Sequence, residues 1–190
     1  MFHLVTGGSG SGKSAFAEQE ILNLGPAERI YIATMYPGND PENARRIARH
    51  RAMRAEKQFA TLECYTGLAE AGVPAHTNVL LECMSNLVAN EMFLPDGAGE
   101  QTVPAVFSGV EHLLRICDNL VVVTNEIFSD GGTYDEWTCR YLSALGEINC
   151  RMAQRADRVT EVVYGIPLFR KGGEAYSIPA EKEFQTEITK

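Results

Sequence analysis

A glycine-rich stretch near the N-terminus contains the residues with the clearest potential for chemistry. The segment TGGSGSGKSAFAE, residues 6–18, meets the pattern G-x-x-x-x-G-K-[ST] with Gly7, Gly12, Lys13 and Ser14. Apolar FHLV precedes it and helix-forming SAFAEQEIL follows it, so we expect a strand, a loop and a helix in that order. The motif in this context indicates a loop that binds phosphate groups. A flexible Gly/Ser turn is the alternative.

The residue types of this loop suit an anionic ligand. Successive backbone N–H groups can point inward only along a glycine-rich path. Lys13 would reach the outer phosphates of a nucleoside triphosphate as a catalytic residue, and Ser14 would ligate magnesium. The positive end of the following helix would face the same anion. The predicted nucleotide contacts are Gly7, Gly8, Ser9, Gly10, Ser11, Gly12, Lys13 and Ser14.

A basic segment, PENARRIARHRAMRAEK at residues 41–57, is the second candidate. Its six basic and two acidic residues give a net charge of +4, in a chain whose net charge is −8. At helical spacing Arg46, His50, Arg54 and Lys57 share one face, so cations bracket the imidazole. Flanking cations would lower the pKa of His50 and keep the imidazole neutral, as nucleophilic attack on phosphorus requires. A solvated basic face with an incidental histidine is the alternative.

Acidic and amide side chains follow the predicted strands. Glu82 closes the apolar run NVLLEC, where a carboxylate would serve magnesium, although a strand-terminal acid is also common for structural reasons. Glu63 could accept hydrogen bonds from a base or ribose, or could be a surface carboxylate. Sequence alone does not separate capping from catalysis for four further residues, Asn90, Asn125, Glu126 and Asn149.

The elements that must position these residues alternate between strand and helix. Short apolar runs predict strands at 2–5, 29–34, 78–83, 119–126 and 158–165, and helical patterns occur at 13–24, 41–57, 84–93, 104–118 and 134–156. This alternation predicts an α/β fold, one domain over residues 1–190, with a mostly parallel sheet and helices on both faces. Residues at the carboxyl ends of the strands should converge: 7–14, 33–35, Glu82 and 125–126.

Composition excludes several classes of function. A net charge of −8 argues against nucleic acid as the main partner, because duplex binding depends on Lys and Arg. No apolar run approaches the roughly 20 residues of a membrane-spanning helix. The five cysteines are odd in number and lack C-x-x-C spacing, which favours reduced thiols. Because no charged and apolar leader precedes the phosphate-binding loop, we expect a cytoplasmic protein.

Across nearly its whole length the sequence resembles the bifunctional adenosylcobinamide kinase and adenosylcobinamide-phosphate guanylyltransferase family of cobalamin biosynthesis. The resemblance rests on LVTGGSGSGKS, YIAT, ARRIARHR, TLEC, NVLLECMSNLVAN, VVVTNE, LGEIN, RADRV and YGIPL, in this order. It implies a P-loop NTPase-like (RecA-like) fold and a homotrimer. The implied activities are phosphorylation of the aminopropanol hydroxyl of adenosylcobinamide and transfer of GMP from GTP onto that phosphate. ATP and GTP would be substrates, with Mg²⁺ as cofactor and a corrinoid as acceptor.

The resemblance also implies roles for individual residues. Arg46 and Ile47 match the motif that precedes the guanylylated histidine, which makes His50 the nucleophile. The implied nucleotide contacts beyond the loop are Ala33, Thr34, Met35, Arg51, Ala52, Met53, Arg54, Glu63 and Glu82, with Ser14 and Glu82 also serving the metal. The family usually has arginine at the position of Gly10. Two other functions stay open: a single-activity kinase in which the basic helix is a lid, and a nucleotide-gated interaction protein.

Overall fold

The computed structural model describes residues 1–38, 57–129 and 131–173, which form a seven-stranded sheet flanked by helices. Its strands are β1 (Phe2–Thr6), β2 (Arg29–Ala33), β3 (Phe59–Glu63), β4 (Asn78–Glu82), β5 (Asn119–Val123), β6 (Arg158–Val163) and β7 (Ile166–Lys171). The order across the sheet is β3-β2-β4-β5-β1-β6-β7. Every neighbouring pair is parallel except β6 and β7, which form an antiparallel hairpin.

Four α-helices are described: α1 (Lys13–Asn23), α2 (Met84–Phe93), α3 (Thr102–Ile116) and α4 (Glu136–Arg155). Short 3-10 helices occupy Leu68–Glu70 and Gly99–Gln101. Among the described residues, no helix combines the length and the apolarity needed to cross a membrane.

The core consists of two apolar layers, one on each face of the sheet. On one face Ala17 and Ile21 of α1 pack against strand residues such as Val5, Leu80 and Val121. On the other face, buried residues of α2, α3 and α4 pack against side chains of β1, β2, β4 and β5. The central strands are therefore buried on both faces, which explains why they read as continuous apolar runs.

The predicted fold class is confirmed, but two strands escaped prediction. β3 and β7 are the two edges of the sheet, and most of their residues are exposed or only half-buried. An edge strand buries too little to need an apolar run, so neither segment carried a strong pattern. The five predicted strands and four of the predicted helices are present with small shifts in their ends. The predicted helix at 41–57 lies outside the described residues except for Lys57.

The five cysteines are free thiols, as expected, and differ in burial. Burial raises the pKa of Cys64 to about 11 and that of Cys117 to about 11, whereas Cys139 and Cys150 are exposed. Because the thiolate is the form that reacts, we expect iodoacetamide at pH 8 to alkylate Cys139 and Cys150 well before Cys64 and Cys117. Peptide mass spectrometry of a time course measures this order. Early modification of Cys64 or Cys117 in the folded protein would contradict it.

Candidate nucleotide site

The phosphate-loop motif lies between β1 and α1, as its sequence context predicts. α1 begins at Lys13, and the backbone at Gly10 and Gly12 is left-handed, with φ values of 70° and 91°. Glycine adopts this conformation without steric penalty. At Gly7 the constraint is space, because a Cβ atom there would lie 2.5 Å from the Val162 carbonyl oxygen and 2.6 Å from Ser11 Oγ. The glycines therefore let the chain turn tightly against β6.

Backbone hydrogen bonds hold this loop on both sides. The N–H of Glu126, just after β5, donates to the Gly7 carbonyl oxygen at 3.1 Å. The N–H of Gly165, in the β6–β7 turn, donates to the Ser11 carbonyl oxygen at 2.8 Å. Lys13 is buried, and its Nζ donates to the Gly8 carbonyl oxygen at 3.0 Å. The lysine charge is thus held within the loop, where phosphate groups would bind.

Ser14 and Glu82 meet beside the loop. The Ser14 hydroxyl donates to Glu82 Oε1, and the second carboxylate oxygen, Oε2, is buried with no hydrogen-bond partner among the described residues. A hydroxyl next to a carboxylate with an unpartnered oxygen is a donor set that suits a hard divalent cation. No group of three or more His, Cys, Asp or Glu that could hold a metal occurs in the described ranges. That is compatible with Mg²⁺, which keeps several waters and takes ligands from substrate phosphates.

The carboxyl ends of three neighbouring strands bring further predicted residues together. Ala33 on β2 is in register with Glu63 on β3 and with Glu82 on β4. Thr34 is fully buried, and its hydroxyl donates to the Cys83 carbonyl oxygen at 2.8 Å and accepts from the Cys83 N–H at 2.7 Å. The Thr34 side chain therefore joins β2 to the end of β4, which leaves half-buried Ala33 and Met35 on either side of it.

Glu63 contacts a tyrosine that belongs to an aromatic pair. Its Oε2 accepts a hydrogen bond from the Tyr65 hydroxyl at 2.8 Å, and the rings of Tyr65 and Tyr36 meet edge to face with centroids 5.4 Å apart. Tyr36 is half exposed. An exposed carboxylate hydrogen-bonded to one ring of an aromatic pair is a surface that a ribose or a base could contact. The sequence singled out Glu63 but not its tyrosines, because their adjacency arises from two separate strand ends.

The structure gives contacts to the polar residues whose roles the sequence left open. Asn90 donates to the Thr34 carbonyl oxygen at 2.8 Å, and Asn149 accepts from the Thr124 hydroxyl at 2.8 Å. Glu126 accepts from the Phe128 N–H and the Ser129 hydroxyl. Each of these three side chains is therefore hydrogen-bonded to another residue of the protein.

Asn125 belongs to a polar cluster at the start of α2 that sequence reasoning missed. Its Nδ2 donates to Ser85 Oγ at 2.6 Å, Cys83 Sγ lies 3.1 Å from the same oxygen, and the Tyr141 hydroxyl donates to the Ser85 carbonyl oxygen at 3.2 Å. Burial raises the pKa of both Cys83 and Tyr141, so the cluster is neutral. Only the position of Cys83 and Ser85 within three residues after Glu82 could have indicated this cluster.

The predicted basic face is only partly within the described residues. Arg46, His50, Arg51, Ala52, Met53 and Arg54 all lie outside them. Lys57, the last member of that face, forms an ion pair with Glu18. Glu18 is on α1, one turn after Ser14. The chain therefore leaves the predicted basic segment next to the helix that follows the phosphate-binding loop.

Comparisons with known proteins agree with these features. Residues 3–169 match the family described as "Cobinamide kinase / cobinamide phosphate guanyltransferase". The bifunctional adenosylcobalamin biosynthesis protein CobP of Pseudomonas aeruginosa is 32% identical over 183 residues, which cover 90% of this chain and 98% of that protein. The protein CobU of Escherichia coli, described in the same words, is 33% identical over 180 residues, covering 87% of this chain and 97% of that protein.

Two solved structures align with most of the chain. The flagellar accessory protein FlaH from Methanocaldococcus jannaschii covers 92% of this chain and 81% of its own, with a TM-score of 0.46 and 10% identity. A KaiC-like protein from Pyrococcus horikoshii covers 92% and 80%, with a TM-score of 0.48 and 14% identity.

The match includes the phosphate loop, the carboxyl ends of the parallel strands and most of the β6–β7 hairpin. On the strength of that match and of two relatives above 30% identity, the chain belongs to the cobinamide kinase / cobinamide phosphate guanyltransferase family.

Proposed function

We propose that this protein phosphorylates the aminopropanol hydroxyl of adenosylcobinamide with a nucleoside triphosphate and then transfers GMP from GTP onto the new phosphate. The products would be adenosylcobinamide-GDP and pyrophosphate. The observation that carries the proposal is the pairing of the phosphate loop, through Ser14, with Glu82 at the end of β4. One domain of residues 1–190 would carry both steps, in the cytoplasm and as a homotrimer.

The phosphate loop would perform the kinase step by positioning and charge stabilisation. In phosphoryl transfer, charge on the transferring group increases toward the transition state, and fixed cations and backbone N–H groups stabilise it. Lys13 supplies the cation, and the backbone of residues 7–14 supplies the N–H groups. Ser14 and Glu82 would hold Mg²⁺, which would neutralise charge on the outer phosphates.

Guanylyl transfer would use His50 as the nucleophile. A neutral imidazole nitrogen would attack the α-phosphorus of GTP, the bond to the β-phosphate oxygen would break and pyrophosphate would leave. An oxygen of adenosylcobinamide phosphate would then attack the same phosphorus and release the imidazole. Arg46 would stabilise the developing charge. The contact of Lys57 with Glu18 supports this assignment, because it ties the end of the basic segment to α1.

The strand ends would recognise the rest of the nucleotide. We assign ribose or base contacts to Glu63 and further nucleotide contacts to residues 33–35 and to residues 51–54 of the basic segment. The pair of rings formed by Tyr65, which contacts Glu63, and half-exposed Tyr36 supports this assignment, since an exposed aromatic surface suits a nucleoside.

Measurement of the released products tests the two activities separately. Adenosylcobinamide with ATP or GTP should release a nucleoside diphosphate, and adenosylcobinamide phosphate with GTP should release pyrophosphate. Absence of pyrophosphate in the second reaction would reject the guanylyltransferase half. Absence of both products would reject the proposal.

Replacement of Glu82 by Gln tests the metal site. The amide keeps the shape of the side chain but removes the charge that attracts a hard cation. We expect the Mg²⁺ concentration that gives half-maximal kinase activity to rise by about tenfold or more, because a charged hydrogen-bonding group contributes about 1.5–3 kcal/mol. A magnesium titration of the initial rate measures this shift.

The matched control is Glu28→Gln, the same charge change at an exposed residue just before β2, at the end of that strand away from Ala33 and the predicted site. It should leave the magnesium midpoint unchanged. If Glu82→Gln also left the midpoint unchanged, Glu82 would be a structural acid that orients Ser14 and not a metal ligand.

A further inference from the structure

The residues that follow β5 pass between the phosphate loop and the carboxyl end of β4. β5 lies between β1 and β4 in the sheet, and its last residue, Val123, is in register with Val5 on β1 and with Glu82 on β4. The chain that continues beyond Val123 therefore runs between the start of the loop and the residues just after Glu82. Asn125 is the second residue of this continuation.

Hydrogen bonds hold this continuation on both sides. On the side of the loop, the N–H of Glu126 donates to the Gly7 carbonyl oxygen at 3.1 Å. On the side of β4, Asn125 Nδ2 donates at 2.6 Å to Oγ of Ser85, which is buried. The Asn125 amide is therefore held in place between the phosphate loop and the segment that follows Glu82.

The groups that would hold the outer phosphates come from the same two neighbours. Lys13 Nζ donates to the carbonyl oxygen of Gly8 in the loop, and the Ser14 hydroxyl donates to Glu82 at the end of β4. The strand between the loop-bearing β1 and β4 is β5. A terminal phosphate bound between these groups would therefore lie over the carboxyl end of β5, where Asn125 is.

The Asn125 amide has donor capacity for such a ligand. A side-chain amide carries two N–H donors and one oxygen, so the bond to Ser85 uses one donor and leaves the other. Asn125 is half-buried, so a bound ligand can reach its amide. N–H donors fixed in position around a phosphoryl group stabilise the negative charge on its oxygens.

From these contacts we infer that Asn125 donates its second amide N–H to the γ-phosphate of the nucleoside triphosphate in the phosphate loop. The inference rests on the proposed function, because it requires this loop to be the triphosphate site. A contact with the γ-phosphate is absent from a bound nucleoside diphosphate, which lacks that group. Asn125 thereby favours binding of the substrate triphosphate over the diphosphate that the kinase step releases.

Replacement of Asn125 by Ala tests the inference through the difference between triphosphates and diphosphates. We expect ATP, and a GTP analogue with a methylene group between its α- and β-phosphorus, to bind about 10- to 150-fold more weakly, the range for a lost hydrogen bond to a charged group. The methylene analogue cannot transfer GMP, so only binding is measured. ADP and GDP should bind within about twofold of the wild type, because they do not contact Asn125.

Two further variants serve as controls. Asn119→Ala removes the same side chain at the other end of β5, where Asn119 Nδ2 donates to Asn78 Oδ1 on β4 at 2.8 Å. This variant should keep all four affinities within about twofold of the wild type. Asn125→Asp keeps the size of the side chain and can accept the Ser85 hydroxyl, but its ionised carboxylate has no donor. It should bind the triphosphates at least as weakly as Asn125→Ala does.

Isothermal titration of the full chain with these four nucleotides, in the presence of Mg²⁺, measures the affinities, and thermal unfolding checks that each variant is folded. Wild-type affinity for the triphosphates in either folded Asn125 variant would overturn the inference and leave the proposed function standing. An equal loss for triphosphates and diphosphates in Asn125→Ala would overturn it as well, because the effect would then act through the shape of the loop. If the wild type bound none of the four nucleotides, the loop would not be the triphosphate site and both proposals would fail.

Discussion

Replacement of Lys13 by Ala should lower the kinase rate by about a hundredfold or more, comparable with the loss of other preorganised electrostatic groups. Lys13 is buried, and its Nζ lies 3.0 Å from the Gly8 carbonyl oxygen, within the loop. A cation in this position stabilises charge on the transferring phosphoryl group more than it stabilises bound substrate. The loss should therefore appear mainly in kcat, measured as the initial rate of adenosylcobinamide phosphorylation at saturating nucleotide.

The control for this variant removes the same charge elsewhere. Arg115 is exposed in the last turn of α3, and Arg115→Ala should keep the wild-type rate. Thermal unfolding of Lys13→Ala shows whether its fold is retained. Near-normal phosphorylation by a folded Lys13→Ala protein would contradict the assignment of the loop as the kinase site.

Replacement of His50 by Ala should abolish transfer of GMP and spare the kinase step. Label from the α-phosphate of GTP should remain on the denatured wild-type protein and be absent from His50→Ala, because the covalent intermediate needs the imidazole nitrogen. The bond should resist alkali and break in acid, as expected for a phosphoramidate. Pyrophosphate or adenosylcobinamide phosphate should discharge it.

The kinase rate of His50→Ala should stay within a few-fold of the wild type, because Lys13, Ser14 and Glu82 are all retained. The matched control is His112→Ala, at a half-buried histidine of α3. Alanine has the highest helix propensity, so this change should keep the helix intact. His112→Ala should label fully. Equal labelling of the wild type and His50→Ala would place the nucleophile elsewhere.

The parts of the site that could be predicted are those encoded by local sequence. The phosphate loop is contiguous, and its glycines and Lys13 are needed at fixed spacing, so a short motif identifies it. The position of Glu82 near the loop could be predicted because Glu82 ends a strand buried on both faces. Parallel strands bring their carboxyl ends to the same side of a sheet.

The parts that could not be predicted depend on contacts between distant segments. The contact of Gly165 with Ser11 and the approach of Tyr65 to Tyr36 arise only when strands far apart in sequence become neighbours. β3 and β7 were not predicted as strands, because edge strands bury little apolar surface and so carry no strong apolar pattern. The role of His50 stays a prediction, since it rests on the spacing of its neighbours and on the family resemblance.

The most direct test of the bifunctional assignment follows two phosphorus atoms into one product. The wild-type protein is incubated with adenosylcobinamide, ATP and GTP, either with the label in the γ-phosphates of both nucleotides or with the label in the α-phosphate of GTP. The corrinoid products are then separated. The assignment predicts that adenosylcobinamide-GDP acquires label in both reactions, one phosphorus from the kinase step and one from GMP. A corrinoid labelled only from the γ-phosphate would indicate a single-activity kinase, and no labelled corrinoid in either reaction would contradict an enzymatic role on this substrate.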